Sequence, residues 1–220
     1  MSTRAFLLSI VLSTCLWAPP GYSQTREIVA SAATPGLHAL PEELEAFWAF
    51  TEGRRVRARE LAQSVIDKNP NSYVAHTVLG EVEQIAEGNF PRAVYLLQRA
   101  LTLFEIAHAN QADTSNTWRW HSRILRKLAF AQGDMENHQE KLELLERYNQ
   151  LYEPDLLAQR VWPLLKLGRY EDAREAARQG MASGNARQQQ IALNALCAIA
   201  AEIDNPAEYY ASCSRAVEHA

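Results

Sequence analysis

The sequence predicts an all-α fold made of helical hairpins stacked side by side, and three observations support this. Apolar residues recur with helical spacing along most of the chain from residue 41 onwards. Glycine and Asn-Pro signals interrupt these stripes where short turns between antiparallel helices are needed. Small residues fall where the two helices of a hairpin must approach closely. A hydrophobic content of 47%, with 9 Gly and 9 Pro, is typical of a folded chain rather than a disordered one.

The segment from residue 72 to 108 shows the hairpin pattern most clearly, with a turn at Gly88. The small residues of this segment are Gly80, Ala93 and Ala100. Its large core residues are Leu79, Phe90 and Leu97. This segment resembles the tetratricopeptide repeat (TPR), a helix–turn–helix unit of about 34 residues that stacks into a solenoid. It has one extra residue between Gly80 and Gly88 relative to the repeat, which predicts a longer or distorted turn.

Weaker copies of this unit lie on both sides of it. Residues 41–70 form the first unit, and the fourth carries Gly168, Tyr170 and Ala173 in the Gly-x-Tyr-x-x-Ala pattern of the repeat turn. The resemblance implies a right-handed superhelical solenoid of about five TPR-like hairpins over residues 41–220.

The third unit fits the repeat least well. We place its turn at Gly133-Asp134, which puts His138 where the family prefers a small residue. This substitution predicts either a splayed pair of helices or a different register.

The first residues have the features of a secretory signal peptide. Arg4 supplies the positive start, and residues 5–17 form an apolar core that is too short to span a bilayer. Small residues at Gly21 and Ser23 suit a signal peptidase, so we predict cleavage after Ser23. The mature protein is then expected in the periplasm of a bacterial-type envelope, or secreted.

The predicted organisation is a signal peptide at 1–23, a flexible leader at 24–40 and the helical-repeat domain at 41–220. No transmembrane span is expected after the signal is removed. An alternative makes Cys15 the lipidated N-terminus of a lipoprotein. Thr14 is bulkier than the residue usual before such a cysteine, so this alternative is disfavoured.

Charge and motif content exclude several function classes. The net charge of −4 gives no basic surface of the kind that nucleic-acid binding needs. The 6 histidines lack metal-ligand spacing, and no phosphate loop or nucleophile motif is present. We therefore predict a protein without a metal, a cofactor or catalytic activity.

Cys197 and Cys213 lie on opposite sides of the Asp204-Asn205 turn, each about two helical turns away from it. An antiparallel hairpin brings such positions face to face, and export favours oxidation, so a disulfide is one reading. The other reading is a pair of buried thiols that act as small hydrophobic side chains. The distance between the helix backbones decides between the two.

The resemblance also implies a binding groove, because the first helices of TPR hairpins line the concave face. The positions carried over are Thr77, Glu81, Gln84, Trp120, Arg123, Lys127, Phe130, Trp162 and Lys166. Cationic residues beside aromatic ones suit an extended peptide with acidic groups. Alternatively, the aromatic residues fill the core between hairpins and the cations are solvated.

These observations predict a non-catalytic, exported scaffold that binds a peptide or protein segment in the groove of a TPR solenoid. One alternative is an accessory or substrate-guiding domain of an envelope enzyme, and the other is a membrane-anchored lipoprotein scaffold. A deep pocket of converging polar groups would favour the enzyme, whereas a broad groove favours the scaffold.

Overall fold

A computed structural model describes residues 39–109, 115–152, 154–203 and 206–218. The predicted signal peptide, the alternative lipid site at Cys15 and the leader up to residue 38 lie outside these ranges and stay predictions. The described residues form ten α-helices and no strand. These are α1 Pro41–Thr51, α2 Arg55–Lys68, α3 Tyr73–Val82, α4 Phe90–His108, α5 Ser115–Asp134, α6 His138–Leu151, α7 Val161–Lys166, α8 Tyr170–Ala182, α9 Ala186–Glu202 and α10 Pro206–Glu218.

Consecutive helices pack in pairs, so that α1–α2, α3–α4, α5–α6, α7–α8 and α9–α10 form five hairpins. Each hairpin also packs on the next one, through the α2–α3, α4–α5, α6–α7 and α8–α9 contacts. This open stack confirms the predicted all-α solenoid of helical hairpins. Its right-handed superhelical sense stays a prediction.

The buried apolar residues form three clusters along the stack. One joins the first two hairpins around Ala62 and Val78, and the central one lies around Leu97 and Leu125. The third joins the last two hairpins around Leu164, Ala177 and Ile199. Every cluster draws on more than one hairpin, so each hairpin depends on its neighbours to bury its apolar side.

Short polar residues start several of the helices. The Ser72 hydroxyl accepts a hydrogen bond from the Ala75 N–H at 3.0 Å, and Asn89 caps α4 in the same way. Ser72 also donates to the buried carboxylate of Glu43 in α1. This hydrogen bond joins the first hairpin to the second.

Gly80 is the point of closest approach within the second hairpin. A Cβ atom added there would lie 2.8 Å from Cγ of Leu97 and 3.4 Å from the carbonyl oxygen of Ala93. Real Cβ atoms do not approach a carbon this closely, so only glycine lets α3 and α4 pack at this distance.

The hairpin turns follow one rule in four of the five hairpins. A residue with positive φ is followed five positions later by the residue that faces the partner helix, and in three cases that residue is a fully buried alanine. The pairs are Gly53 and Ala58, Gly88 and Ala93, and Gly168 and Ala173. Glycine suits the first position of each pair because it tolerates positive φ.

The third hairpin follows the same rule with different residues, which corrects the predicted turn. α5 continues through Gly133 and Asp134, and the positive φ of +60° belongs to Glu136. His138 is the first residue of α6, so Lys141, not His138, occupies the position of the small residue. Gly133 makes room for it, because an added Cβ would lie 2.8 Å from Cδ of Lys141.

The extra residue of the second unit is absorbed in a π-helical turn, Glu83–Glu87, that extends α3. A wider turn takes in one more residue without breaking the helical path. The predicted distortion between Gly80 and Gly88 is therefore confirmed, and α4 still starts in register with α3.

Candidate functional site

Three of the predicted groove residues form one ion-pair network between α3 and α5. Glu81 is fully buried, and its carboxylate accepts hydrogen bonds from Nε and Nη2 of Arg123 at 2.5 and 2.7 Å. Nζ of Lys127 lies 3.0 Å from Oε2 of the same carboxylate. Arg123 and Lys127 stand one turn apart on α5, and each side chain is 20% exposed. The bidentate pair fixes the orientation of the arginine as well as its position.

The same arginine joins the first hairpin to this network. Its guanidinium lies 4.9 Å from the ring centre of Phe47 in α1. The Phe47 ring meets the edge of Trp120 at 5.3 Å between centres, and Trp120 is partly buried against the central cluster. Trp120 therefore fills space between hairpins, which agrees with the alternative that the aromatic residues belong to the core.

Two of the predicted groove residues are fully buried, so the prediction that they contact a ligand directly is wrong. Thr77 is fully buried, and its hydroxyl donates to the carbonyl oxygen of Tyr73 at 2.7 Å, one turn earlier. Glu81 is also fully buried, beneath Arg123 and Lys127. The physical reason is that α3 packs against both α1 and α5 besides its partner α4, so it has no open side.

The remaining predicted residues reach the surface to different degrees. Gln84 is partly buried and donates to Asp134 at the end of α5 at 2.6 Å. Phe130 is partly buried against the central cluster, with Nζ of Lys141 5.7 Å from its ring centre. The structure therefore engages both residues in contacts between helices.

Trp162 and Lys166 form a separate, open pair on α7. Trp162 is 48% exposed, and Nζ of Lys166 lies 4.6 Å from its ring centre. Val161, Pro163 and Leu164 of the same short helix are buried, so the pair stands on the outward side of α7. Among the described residues, no hydrogen bond, ion pair or ring contact joins this pair to the Glu81 network.

A cavity of about 430 Å³ lies where the third, fourth and fifth hairpins meet. Its lining includes Arg126, Lys127, Phe130, Leu156, Arg187 and Gln188. The cavity exists because α7 has only six residues and follows a 3₁₀ turn, Ala158–Arg160. The first helix of the fourth hairpin is thus too short to fill the space between α5 and the start of α9.

Of these lining residues, only Lys127 and Phe130 are among the predicted groove positions. Arg126 precedes Lys127 directly, and Gln188 follows Asn185 by three positions in a helix-start pattern. Those signals mark charge and a helix end. Neither reveals a cavity, because the cavity depends on how far apart two helices from different hairpins lie.

The last hairpin is closed by a disulfide between Cys197 of α9 and Cys213 of α10, with Cα atoms 4.7 Å apart. The two cysteines are 16 positions apart. Of the two readings of this pair, the structure shows the bridge, because the helices approach closely enough for it.

No group of three or more His, Cys, Asp or Glu side chains within the described ranges is arranged to hold a metal ion. Nor does any helix in these ranges combine the length and apolar character that crossing a bilayer requires.

The stack of hairpins and its turn rule define the structural class of tetratricopeptide-repeat solenoids. No protein-family model and no curated protein matches the chain. Solved structures do match it.

One is YrrB, a TPR protein with an unusual peptide-binding site, with a TM-score of 0.65 and 14% identity over 89% of this chain and 93% of YrrB. Another is MamA, with a TM-score of 0.60 and 17% identity over 79% of this chain and 93% of that one. A further MamA structure, from AMB-1, has a TM-score of 0.65 and covers 82% of this chain and 98% of its own, at 14% identity. At these identities the likeness shows the fold alone.

Proposed function

We propose that this chain is a non-catalytic, exported scaffold that holds a peptide or protein segment along the first helices of its hairpins. The observation that carries the proposal is the open pair of Trp162 and Lys166 on the first helix of the fourth hairpin. Half-exposed tryptophan beside a cation is typical of residues that contribute most to protein–protein binding.

The fold supports the proposal without fixing it. YrrB has the same architecture and a peptide-binding site, and MamA shares the architecture. A common fold hosts many functions, so the function of this chain depends on its own surface residues. Lys166 beside Trp162 on α7 adds a cation to this surface, which favours a segment that contains acidic residues.

The disulfide of the last hairpin supports export. Bridges of this kind persist in oxidising compartments and are rare in a reducing cytosol. The bridge between Cys197 and Cys213 is therefore consistent with the signal-peptide features of residues 1–23.

Site-specific cross-linking tests the binding surface. Charge reversal of Arg123 or Lys127 is a poor test, because both pair with the buried Glu81 and their loss would destabilise the fold. A photo-cross-linking amino acid that replaces Trp162 instead is expected to capture one discrete polypeptide in the exported fraction. The matched control replaces Tyr210, an exposed aromatic residue on α10, the second helix of its hairpin. Equal capture from both positions, or from neither, would contradict the proposal.

Mass spectrometry of the purified mature chain tests export separately. We expect the mature N-terminus at Gln24, from cleavage after Ser23. A chain that begins at Met1 would contradict export, and one that begins with a lipidated Cys15 would support the lipoprotein alternative.

A further inference from the structure

The cavity between α5 and the start of α9 is lined by a side-chain amide whose N–H donor is unused. Gln188 lines it and is only 2% exposed. Its Oε1 accepts a hydrogen bond from the Ala158 N–H at 2.8 Å, which fixes the orientation of the amide. Its Nε2 then has no hydrogen-bond acceptor among the described residues. Nε2 is open to the cavity rather than fully buried, so it can donate to an acceptor group of a ligand there.

The charges around the cavity are mainly positive. Arg126 and Arg187 both line it, and neither forms an ion pair within the described ranges. Lys127 contributes too, although Glu81 already holds its ammonium group. Among the described lining residues, Asp155 is the one acid. Oδ1 of Asp155 is buried without a hydrogen-bond partner, so this carboxylate offsets part of the positive charge, and the two arginines leave a net attraction for an anionic group.

The backbone at the start of α9 adds little direct hydrogen bonding. The N–H groups of Arg187 and Gln188 already donate to Oδ1 of Asn185, at 3.0 and 3.2 Å. The donors available to a ligand are therefore the side chains of Arg126, Arg187 and Gln188. The dipole of the 17-residue helix α9 adds positive potential at the same end.

The size and the apolar part of the lining narrow the class of ligand. A volume of about 430 Å³ is larger than a single inorganic ion needs. Phe130 and Leu156 line one part of it, so an apolar group can pack beside the charged one. A peptide segment with an acidic residue next to an apolar residue presents both groups on one chain.

We propose that this cavity is a specificity pocket for an acidic side chain, Asp or Glu, of the segment that the scaffold binds. Arg126, Arg187 and Nε2 of Gln188 bind the carboxylate, and Phe130 contacts the apolar neighbour. This inference rests on the proposed function and goes beyond it, because it names the chemistry of the segment and the residues that read it.

Selection from a library of random dodecapeptides displayed on phage tests the pocket. The targets are the mature chain, the double variant Arg126→Gln with Arg187→Gln, and the control Arg57→Gln with Arg215→Gln. The control changes the net charge equally, through cations that do not line the cavity. We expect peptides rich in Asp or Glu beside an apolar residue from the wild type and the control, and loss of that acidic preference with the pocket variant.

The outcomes separate the two proposals. Peptides selected without an acidic preference, or with one that survives in the pocket variant, overturn the pocket and leave the scaffold function standing. Selection of no peptide at all overturns both.

A second measurement does not depend on substituting pocket residues. The best selected peptide, with its acidic residue changed to the matching amide, is expected to bind about tenfold more weakly, as the loss of a charge-assisted hydrogen bond predicts. The original peptide should also shift the NMR signal of the Gln188 side-chain amide. An unchanged signal with a bound peptide would place the peptide elsewhere and overturn the pocket.

Discussion

The two sides of helix α5 use their cations differently. Towards α3, Arg123 and Lys127 surround the buried carboxylate of Glu81, so their charge stabilises the contact between the second and third hairpins. Towards the fourth and fifth hairpins, Arg126 faces the cavity with Arg187, and neither has an acidic partner in the described part of the chain. The difference indicates which cations serve the fold and which are open to a ligand.

The far end of the stack is held in another way. The last hairpin has a disulfide, which stabilises it without using any charge on its surface. The contact between the second and third hairpins is therefore stabilised by ion pairs, whereas the last hairpin is stabilised by a covalent bond.

The largest effect is expected from breaking the ion-pair junction. Glu81→Gln keeps the side-chain shape but leaves Arg123 and Lys127 mostly buried without an acid, so we expect a loss of about 3 kcal/mol in the free energy of unfolding, measured with urea. Glu60→Gln is the control, because Glu60 is 62% exposed and 3.6 Å from Arg57; its loss should stay below about 0.5 kcal/mol. Equal losses in the free energy of unfolding for the two variants would show that Glu81 has no special structural role.

Breaking the covalent end is expected to cost slightly less. Replacing Cys197 and Cys213 by alanine together should lower the free energy of unfolding by about 2–3 kcal/mol, since the closed loop spans 16 positions. A reducing agent should shift the urea midpoint of the wild type towards that of the double variant and leave the variant unchanged. Titration of two free thiols in the folded, exported wild type would refute the bridge.

The junction of α4 and α5 should be sensitive to acid. His121 of α5 stacks on Phe104 of α4, with 4.9 Å between ring centres. Burial, with smaller contributions from Arg147 and His108, lowers the pKa of His121 from 6.5 to about 4. The native state therefore favours the neutral ring, so stability is full above pH 6.5 and falls as the pH drops from 6.5 towards 4.

We expect His121 to account for about 2 kcal/mol of that loss. Urea unfolding at several pH values measures it, and His121→Phe should flatten the curve between pH 6.5 and 4. His138→Phe is the control, because the ring it replaces lies at the start of α6 and is only partly buried. A curve for His121→Phe that runs parallel to the wild type would refute the assignment.

The smallest expected effect is a gain in the third turn. Glu136 has a φ of +60°, a conformation in which a Cβ atom is unfavourable. Glu136→Gly should raise the free energy of unfolding by about 1 kcal/mol. Glu140→Gly, on the first turn of α6, should instead lower it by a similar amount. A loss in both variants would show that the side chain of Glu136 contributes more than its backbone strain costs.

The sequence predicted the features that depend on neighbours within one hairpin. Gly80 and Ala93 indicated a close approach of α3 and α4, and a side chain at Gly80 would indeed meet Leu97. The third turn was misplaced because Gly133 looked like a turn residue, whereas it lies inside α5 opposite Lys141. Glycine occurs both in turns and where helices pack closely, so a glycine in the sequence does not by itself show which of the two it marks.

Features that join different hairpins could not be predicted from spacing. Glu81 and Arg123 are 42 positions apart, and only the stacking of α3 on α5 brings them together. The cavity likewise depends on the short α7, since a full-length helix would fill it. Residues such as Arg126 and Gln188 gain a role only once these distances are known.

All ten residues of α3 are buried, which sets it apart from the other helices of the stack. Such a helix offers no position at which a side chain can vary without disturbing a neighbouring hairpin. Substitutions that adapt the protein to a new partner are therefore expected on α5, α7 and α9, with α3 retained as the common frame.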